Sequence, residues 1–261
     1  MRKEKDGLGE RLLPDEAYYG IQTLRAMENF AISDNTFAHY PNIVRAMAEI
    51  KKACALTNKE IGALPADIAD AIATACDEVL AGRYHDQFPV NVFRGCGTSI
   101  NMNVNEVLGN RANELLTGHK GADRVHPNTH VNMCQSSNDV FPTAASLVLY
   151  RETGGLLDAL ATLEAAVRER MEALGPVVRR TCLQDAVPLT FGQSLSGYAS
   201  LLERTGTQIA AFRKRSATGI LGATAVGTGI GVQPGFMKRI YRNLSSITGF
   251  PVRRNPNPFD G

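Results

Sequence analysis

Three segments gather the side chains that could do chemistry. RGCGTSINMNVNE (94–106) sets glycines, Thr98 and Ser99 just ahead of a helical pattern. HPNTHVNMCQSSNDVFPT (126–143) delivers Ser136, Ser137, Asn138 and Asp139 just ahead of another. RTCLQDAVPLT (180–190) offers Thr181, Cys182 and Gln184 between two long helical stretches. It is too polar for a core strand, and Pro188 interrupts any helix. Free N–H groups at a helix start, hydroxyls and the positive end of the helix dipole together suit an anion. Neutral donors fit a small carboxylate better than a phosphate, which usually recruits Lys or Arg. At roughly 1.5–3 kcal/mol per charge-assisted hydrogen bond, several could hold a dicarboxylate with a dissociation constant between about tens of micromolar and millimolar.

The competing reading is capping. Ser, Thr, Asn and Asp before a helix are most often N-caps worth about 1 kcal/mol, and for any one segment alone that is the simpler account. His126 and His130 have a spacing that suits a metal on a helix, but Pro127 lies between them and no acidic ligand is near. A loop pair explains them better, and no metal or cofactor is expected. GTGIG (227–231) follows no strand and lacks a P-loop lysine, so it reads as a tight turn between helices. The 5 cysteines (Cys54, Cys76, Cys96, Cys134, Cys182) are odd in number and contain no C-x-x-C. Reduced thiols in a cytoplasmic protein are the expectation, not zinc or a disulfide framework.

The elements that must position these segments are helical. Pro41 opens a pattern over 41–63 in which Ile43, Met47, Ile50 and Cys54 recur; Ile68, Ile72, Cys76 and Val79 repeat it between Pro65 and Gly82. A third helix is predicted over about 101–116, ending at Gly118. Residues 142–174 (Leu149, Leu156, Leu160, Leu163, Val167, Met171) and 190–218 (Leu195, Tyr198, Leu202, Ile209, Phe212) predict two helices of roughly 45 Å each. Gly154-Gly155 lies inside the first of these. A Gly-rich turn at 219–231 and a short helix near 234–248 follow. Few segments read as strands, and YHDQFPVNVFRG (84–95) is the best β-hairpin or extended candidate. The class is mainly α. Two long amphipathic helices with only a short third cannot bury a bundle core, so either other chains or further sequence must supply the missing helices.

Composition excludes other classes. A net charge of +2, from 28 Lys+Arg against 26 Asp+Glu, gives no basic footprint for nucleic acid. No apolar run reaches the ~18–20 residues of a membrane span, and the charged start MRKEKDGLGE has no signal-peptide core.

GTSINMNVNEVLGNRA (97–112), VHPNTHVNMCQSSNDVFPTA (125–144), RTCLQDAVPLTFGQ (180–193) and GATAVGTG (222–229) resemble the aspartase/fumarase superfamily. LGERLLPDEAYYGIQTLRAMENFAIS (8–33) and CDEVLAGRYHDQFPV (76–90) resemble aspartate ammonia-lyases more than fumarate hydratases. The resemblance implies an N-terminal mainly helical lyase domain (1–141) followed by the first long helices of a central helical bundle (142–261), in homotetramers whose active sites draw on three subunits. It implies that Thr98, Ser99, Ser136, Ser137, Asn138 and Thr181 hold the carboxylates of L-aspartate or fumarate. It further implies anti elimination of ammonia through an aci-carboxylate intermediate, with no cofactor. Thr181 and Cys182 are the catalytic candidates, Cys182 standing where relatives carry His or Gln. A thiolate there needs a lowered pKa and the sequence supplies no partner, so a tolerated substitution is favoured over a new nucleophile.

Departures from the family pattern are specific. The mobile loop G-S-S-x-M-P-x-K-x-N, whose serine is the family's base, does not occur, which leads to the expectation of a truncated or split chain. RGCGTS is one residue shorter than the usual lyase loop. Ser194 stands where Glu is common, Thr129 where Asp follows H-P-N, and Gly231-Val232 where Asn-Thr is frequent.

Overall fold

The computed structural model describes residues 1–93 and 97–260. Arg94, Gly95 and Cys96 of the first polar segment lie outside the described residues. Cα packing divides the chain into two units, Met1–Val148 with Thr218–Gly261, and Leu149–Ala217.

The first unit is built on α2 (Pro41–Glu60), α3 (Ala66–Leu80) and α4 (Thr98–Thr117). Pro41 occupies the first turn of α2, where its missing N–H costs nothing. Gly118 ends α4 in the left-handed conformation (φ 84°) that only glycine adopts without strain. The predicted apolar positions meet in one core: Met47, Ile50 and Cys54 of α2, Ile72 and Cys76 of α3, and Val104 and Leu108 of α4 are inaccessible to solvent. Ile240 and Leu244 of α7 (Ile240–Thr248) join the same core, as do Val140, Ala144 and Leu147 from the start of α5 (Ser137–Ala173).

An antiparallel hairpin, β1 (Arg2–Asp6) and β2 (Gly9–Leu13), was not expected. It is tied down by polar contacts together with the buried Leu13 at its end. Asp6 receives Nε and a terminal guanidinium nitrogen of Arg25, each at 2.7 Å, from α1 (Ile21–Asn29). Arg2 donates to the carbonyls of Ala17 and Tyr19. The segment at 84–95, read as extended, instead forms a single 3-10 turn at His85–Gln87 and an isolated bridge from Asn91 to Thr36, within its described part. Apolar burial of Phe88 and Val90 explains its composition without a sheet.

Two helix starts lie earlier than periodicity indicated. α4 begins at Thr98 and α5 at Ser137, so Pro142 sits inside α5 rather than at its head. At α5 the polar Ser136 and Asp139, not the first apolar residue, set the boundary, while α4 starts from Gly97 with no side-chain cap. Pro142 removes only the bond that would reach the Asn138 carbonyl in the opening turns.

In the second unit α5 runs on to Ala173 and is followed by β3 (Pro176–Thr181), β4 (Gln184–Thr190) and α6 (Phe191–Ser216). Thr190 and Gln193 cap α6 reciprocally: the Gln193 amide donates to Thr190 Oγ1 at 3.0 Å, and the Thr190 amide to Gln193 Oε1 at 2.9 Å. Arg213 donates to the Tyr150 carbonyl at 3.0 Å and lies over the Tyr150 ring, bracing the far ends of this helix pair. Back in the first unit, β5 (Thr218–Gly219) pairs in parallel with β6 (Arg253–Arg254).

Candidate active site

Two helix N-termini converge in the first unit. Thr98 opens α4, Ser137 opens α5, and their hydroxyl oxygens are 3.1 Å apart. Thr98 is exposed and Ser99 and Ser137 are half-buried. Each start contributes a hydroxyl and the positive end of its dipole, so the pair forms a neutral, donor-bearing corner suited to a carboxylate.

Capping and binding divide the labour at the start of α5. Ser136 is the cap: its Oγ accepts the Asn138 amide at 3.2 Å, and Asp139 accepts the Ser136 amide at 2.9 Å. The alternative reading of these residues as caps therefore holds for Ser136 and Asp139. Asp139 also accepts the amides of Thr224 (2.8 Å) and Gly222 (3.1 Å), and Asn138 Nδ2 donates to the Ala225 carbonyl at 2.8 Å. The Gly-rich turn is thereby stapled to the base of the polar loop. Burial pushes the Asp139 carboxyl up, opposed by these amides and by the charge of Lys51.

Beneath the loop lies a network that sequence reasoning missed. Lys51 of α2 has no solvent exposure, and its Nζ donates to Asn132 Oδ1 (2.9 Å) and Gln135 Oε1 (2.8 Å). Asn101 and Asn105 of α4 donate to the same Asn132 oxygen, at 3.1 and 3.3 Å. Burial lowers the Lys51 ammonium to about 8. The available signal was its spacing, four after Met47 and three before Cys54, inside the apolar stripe. Glu106 was missed likewise. Its carboxylate accepts the amides of Gly20 (2.9 Å), Gln22 (2.8 Å) and Thr23 (3.0 Å) and the Thr23 hydroxyl (2.6 Å), capping α1 from another helix. Gly20 permits this approach, since a Cβ there would stand 2.8 Å from the Glu106 carboxylate.

Thr98 also lines a cleft of about 710 Å³ shared with Lys3, Lys5, Gln22, His126 and Asn128. His126 uses Nδ1 to accept the amides of Asn128 and Thr129, and His130 Nδ1 accepts the His126 amide at 2.9 Å. Both rings are thus engaged in a π turn at Pro127–Val131. No group of three or more metal-binding side chains occurs among the described residues.

Thr181 and Cys182 belong to the second unit. Thr181 ends β3 and pairs with Gln184, so Cys182 and Leu183 form a two-residue turn. Both have positive φ, 50° and 65°, as a type I′ turn requires. Within that unit both Thr181 and Cys182 are exposed.

A mainly helical fold with hydroxyl-bearing helix starts facing one another is matched over residues 9–261 by a family model described as "Lyase". The chain belongs to that family, the aspartase/fumarase superfamily of lyases. Aspartate ammonia-lyase of Bacillus subtilis (strain 168) is 43% identical over 256 residues, covering 96% of this chain and 53% of the relative. Class II fumarate hydratase of Halobacterium salinarum is 45% identical over 263 residues, covering 99% and 56%. Among solved structures, a fumarate lyase:delta crystallin from Brucella melitensis bound to cobalt superposes with a TM-score of 0.93 at 41% identity, covering 99% of this chain and 57% of that one. A class II fumarase from Schistosoma mansoni gives 0.92 at 36% identity, covering 99% and 58%. The chain spans about half the length of the curated relatives it matches.

Proposed function

We propose that this chain carries carboxylate-binding elements of an aspartate ammonia-lyase, which eliminates ammonia from L-aspartate reversibly to give fumarate. The observation that carries the reading is the 3.1 Å approach of Thr98 Oγ1 and Ser137 Oγ at two helix N-termini. In this reading Thr98, Ser99, Ser137 and Asn138 hold carboxylate oxygens, with Ser136 fixing the loop; Thr181, on the β3–β4 hairpin of the second unit, is a carboxylate contact for a site completed by another copy of the chain. A base removes the proton from the carbon beside one carboxylate. The electron pair moves into that carboxylate as an aci-carboxylate, and the carbon–nitrogen bond then breaks. Donors already aimed at those oxygens strengthen as the charge grows, which lowers the barrier. Cys182 occupies the family's His or Gln position as a small, weak hydrogen-bond partner, not as nucleophile.

The serine-bearing pattern G-S-S-x-M-P-x-K-x-N does not occur in these 261 residues. Turnover by this mechanism needs a segment that supplies it, since a general base contributes about 10²–10⁴ in rate. The exposed apolar residues of the second unit, Leu156, Leu163, Phe191, Tyr198 and Leu201 among them, support assembly into a helical bundle with further chains, a homotetramer in this reading. Free cysteines support a reducing, cytoplasmic setting. Fumarate hydratase is the second reading, favoured by the equal similarity of the Halobacterium salinarum relative.

The test follows fumarate absorbance with the purified protein, alone and mixed with the part of the Bacillus subtilis relative that this chain does not cover. L-aspartate and L-malate are offered separately. The expected result is fumarate binding by the chain alone, and aspartate turnover only in the mixture. Malate turnover without aspartate turnover would reverse the substrate assignment. Rapid deamination by the chain alone would end the requirement for the loop. Thr98→Val is expected to weaken fumarate binding about tenfold or more, the loss of one charge-assisted bond.

A further inference from the structure

Lys51 stands out from every other lysine of the first unit: it is the largest side chain with no solvent exposure, and no carboxylate is within ion-pair distance of it among the described residues. A buried ammonium with two neutral acceptors is an expensive arrangement to retain for packing alone, since a methionine of similar shape would fill the space without desolvation. Its acceptors explain its position. Asn132 and Gln135 flank the four-residue turn that leads into Ser136, with the Gln135 amide donating to the Asn132 carbonyl at 3.1 Å. Gln135 in turn spends its own Nε2 on the carbonyls of Val131 (3.0 Å) and Met133 (3.1 Å). Asn132 Oδ1 is simultaneously the target of Asn101 and Asn105, on the helix that Thr98 opens. One oxygen therefore joins α2, α4 and the approach to α5.

We propose that Lys51 is a positioning residue which, through Asn132 and Gln135, sets the relative register of the two helix N-termini and so presents the Thr98 and Ser137 hydroxyls to a dicarboxylate. This rests on the proposed carboxylate site. Three donors compete for the two lone pairs of Asn132 Oδ1, and the charged one makes the strongest bond. Removing it leaves Asn101 and Asn105 sharing the oxygen and leaves Gln135 Oε1 with no donor, so the turn loses its anchor while α2, α3 and α4 keep their apolar core.

The groups facing Lys51 make its charge separable. Cys54 on its own helix, Cys76 on α3 and Asp139 on α5 surround it, with Cys134 and Tyr241 next to them. Burial raises all three thiols and the Tyr241 hydroxyl, moving them away from neutral pH, while the Lys51 ammonium is lowered to about 8. Because the folded value lies below the ordinary 10.5, the unfolded chain binds more protons between about 8 and 10.5. The Lys51 contribution to stability therefore rises with pH across that window. Anchoring by a charged donor predicts the opposite trend for binding, since neutral bonds are about half as strong.

The experiment compares the protein with Lys51→Met by hydrogen exchange of the ligand-free form and by calorimetric titration with fumarate from about pH 7 to about pH 9.5. The expected result is at least about tenfold lower protection of the amides at 135–138 in the variant, with α2 and α3 unchanged. For the unaltered protein, fumarate affinity is expected to fall about tenfold across the window while its stability relative to the variant rises; the variant's affinity stays flat. Equal protection at 135–138, or a uniform loss throughout the unit, would overturn the proposal, as would a pH-independent affinity in the unaltered protein. Should Lys51→Met fail to fold, Lys51→Gln keeps a neutral donor at the same place and is expected to lower protection at 135–138 and to flatten the pH dependence of fumarate affinity; unchanged protection or an unchanged pH dependence would overturn the proposal. Absence of fumarate binding by either protein would count against the carboxylate site, and the exchange result then decides on Lys51 alone.

Discussion

Lys51 and Glu106 in the first unit are as inaccessible as Met47 and Leu108 beside them, whereas Leu156 and Leu163 on the helices of the second unit are 48% and 52% exposed. In the second unit only Ala199 and Ser216 are buried among the described residues. The same chain thus holds structure in two ways. The first unit closes a core and can shelter charge within it, because hydrogen bonds satisfy what burial desolvates. The second relies on backbone hydrogen bonds, a reciprocal cap and a hairpin, and presents its apolar rows outward. Precise placement of donors is available only in the first kind of region, which is where the hydroxyls of Thr98 and Ser137 meet.

The largest expected effect tests whether buried charge is integral to the first unit. Glu106→Leu leaves three backbone N–H groups at the start of α1 without their acceptor, and is expected to destabilise by about 3–5 kcal/mol. Denaturant unfolding followed by circular dichroism measures it. A loss below about 1 kcal/mol would mean that water replaces the carboxylate easily and that the unit is looser than its packing implies.

Next in size is a matched pair of truncations. Leu108→Ala, at a site with no exposure, is expected to cost about 2–5 kcal/mol, and Leu163→Ala less than about 0.5 kcal/mol in the isolated chain. Unfolding midpoints at several protein concentrations provide the comparison. If Leu163→Ala costs as much as Leu108→Ala, and the cost grows with concentration, the apolar rows are already covered by other copies.

What could be read from the sequence follows the same division. The α2 and α3 helices were legible because Met47, Ile50, Ile72 and Cys76 recur at helical spacing and Pro41 marks a start. The first hairpin was not, since RKEKD and GERLL are dominated by charge with no apolar/polar alternation, and the pair is secured by Arg25 from α1 and by Arg2 of β1 reaching carbonyls beyond the hairpin. Candidate residues Thr98 and Ser137 were identifiable as types at helix starts; their approach across 39 positions was not, because it depends on the Asn132 hub. Lys51 and Glu106 escaped because a charged residue on a helix ordinarily faces water, and only its place within an apolar stripe argues otherwise.

The smallest expected effect concerns the hairpin of the second unit, where nothing is buried and the turn decides. Cys182 and Leu183 both adopt positive φ, although neither is Gly, Asn or Asp. A left-handed conformation costs an L-residue roughly 1–2 kcal/mol, and glycine escapes this while losing about 0.5–1 kcal/mol of chain entropy on ordering. The difference favours glycine at 183, so Leu183→Gly is expected to stabilise the hairpin by about 0.5–1 kcal/mol. Since Leu183 is 96% exposed, little packing is lost to oppose the gain. Hydrogen exchange at the paired residues Thr181 and Gln184 reads the change locally. Unchanged or weaker protection would show that the leucine is held by something beyond its own strands, and that the outward-facing unit is less solitary than its exposure indicates.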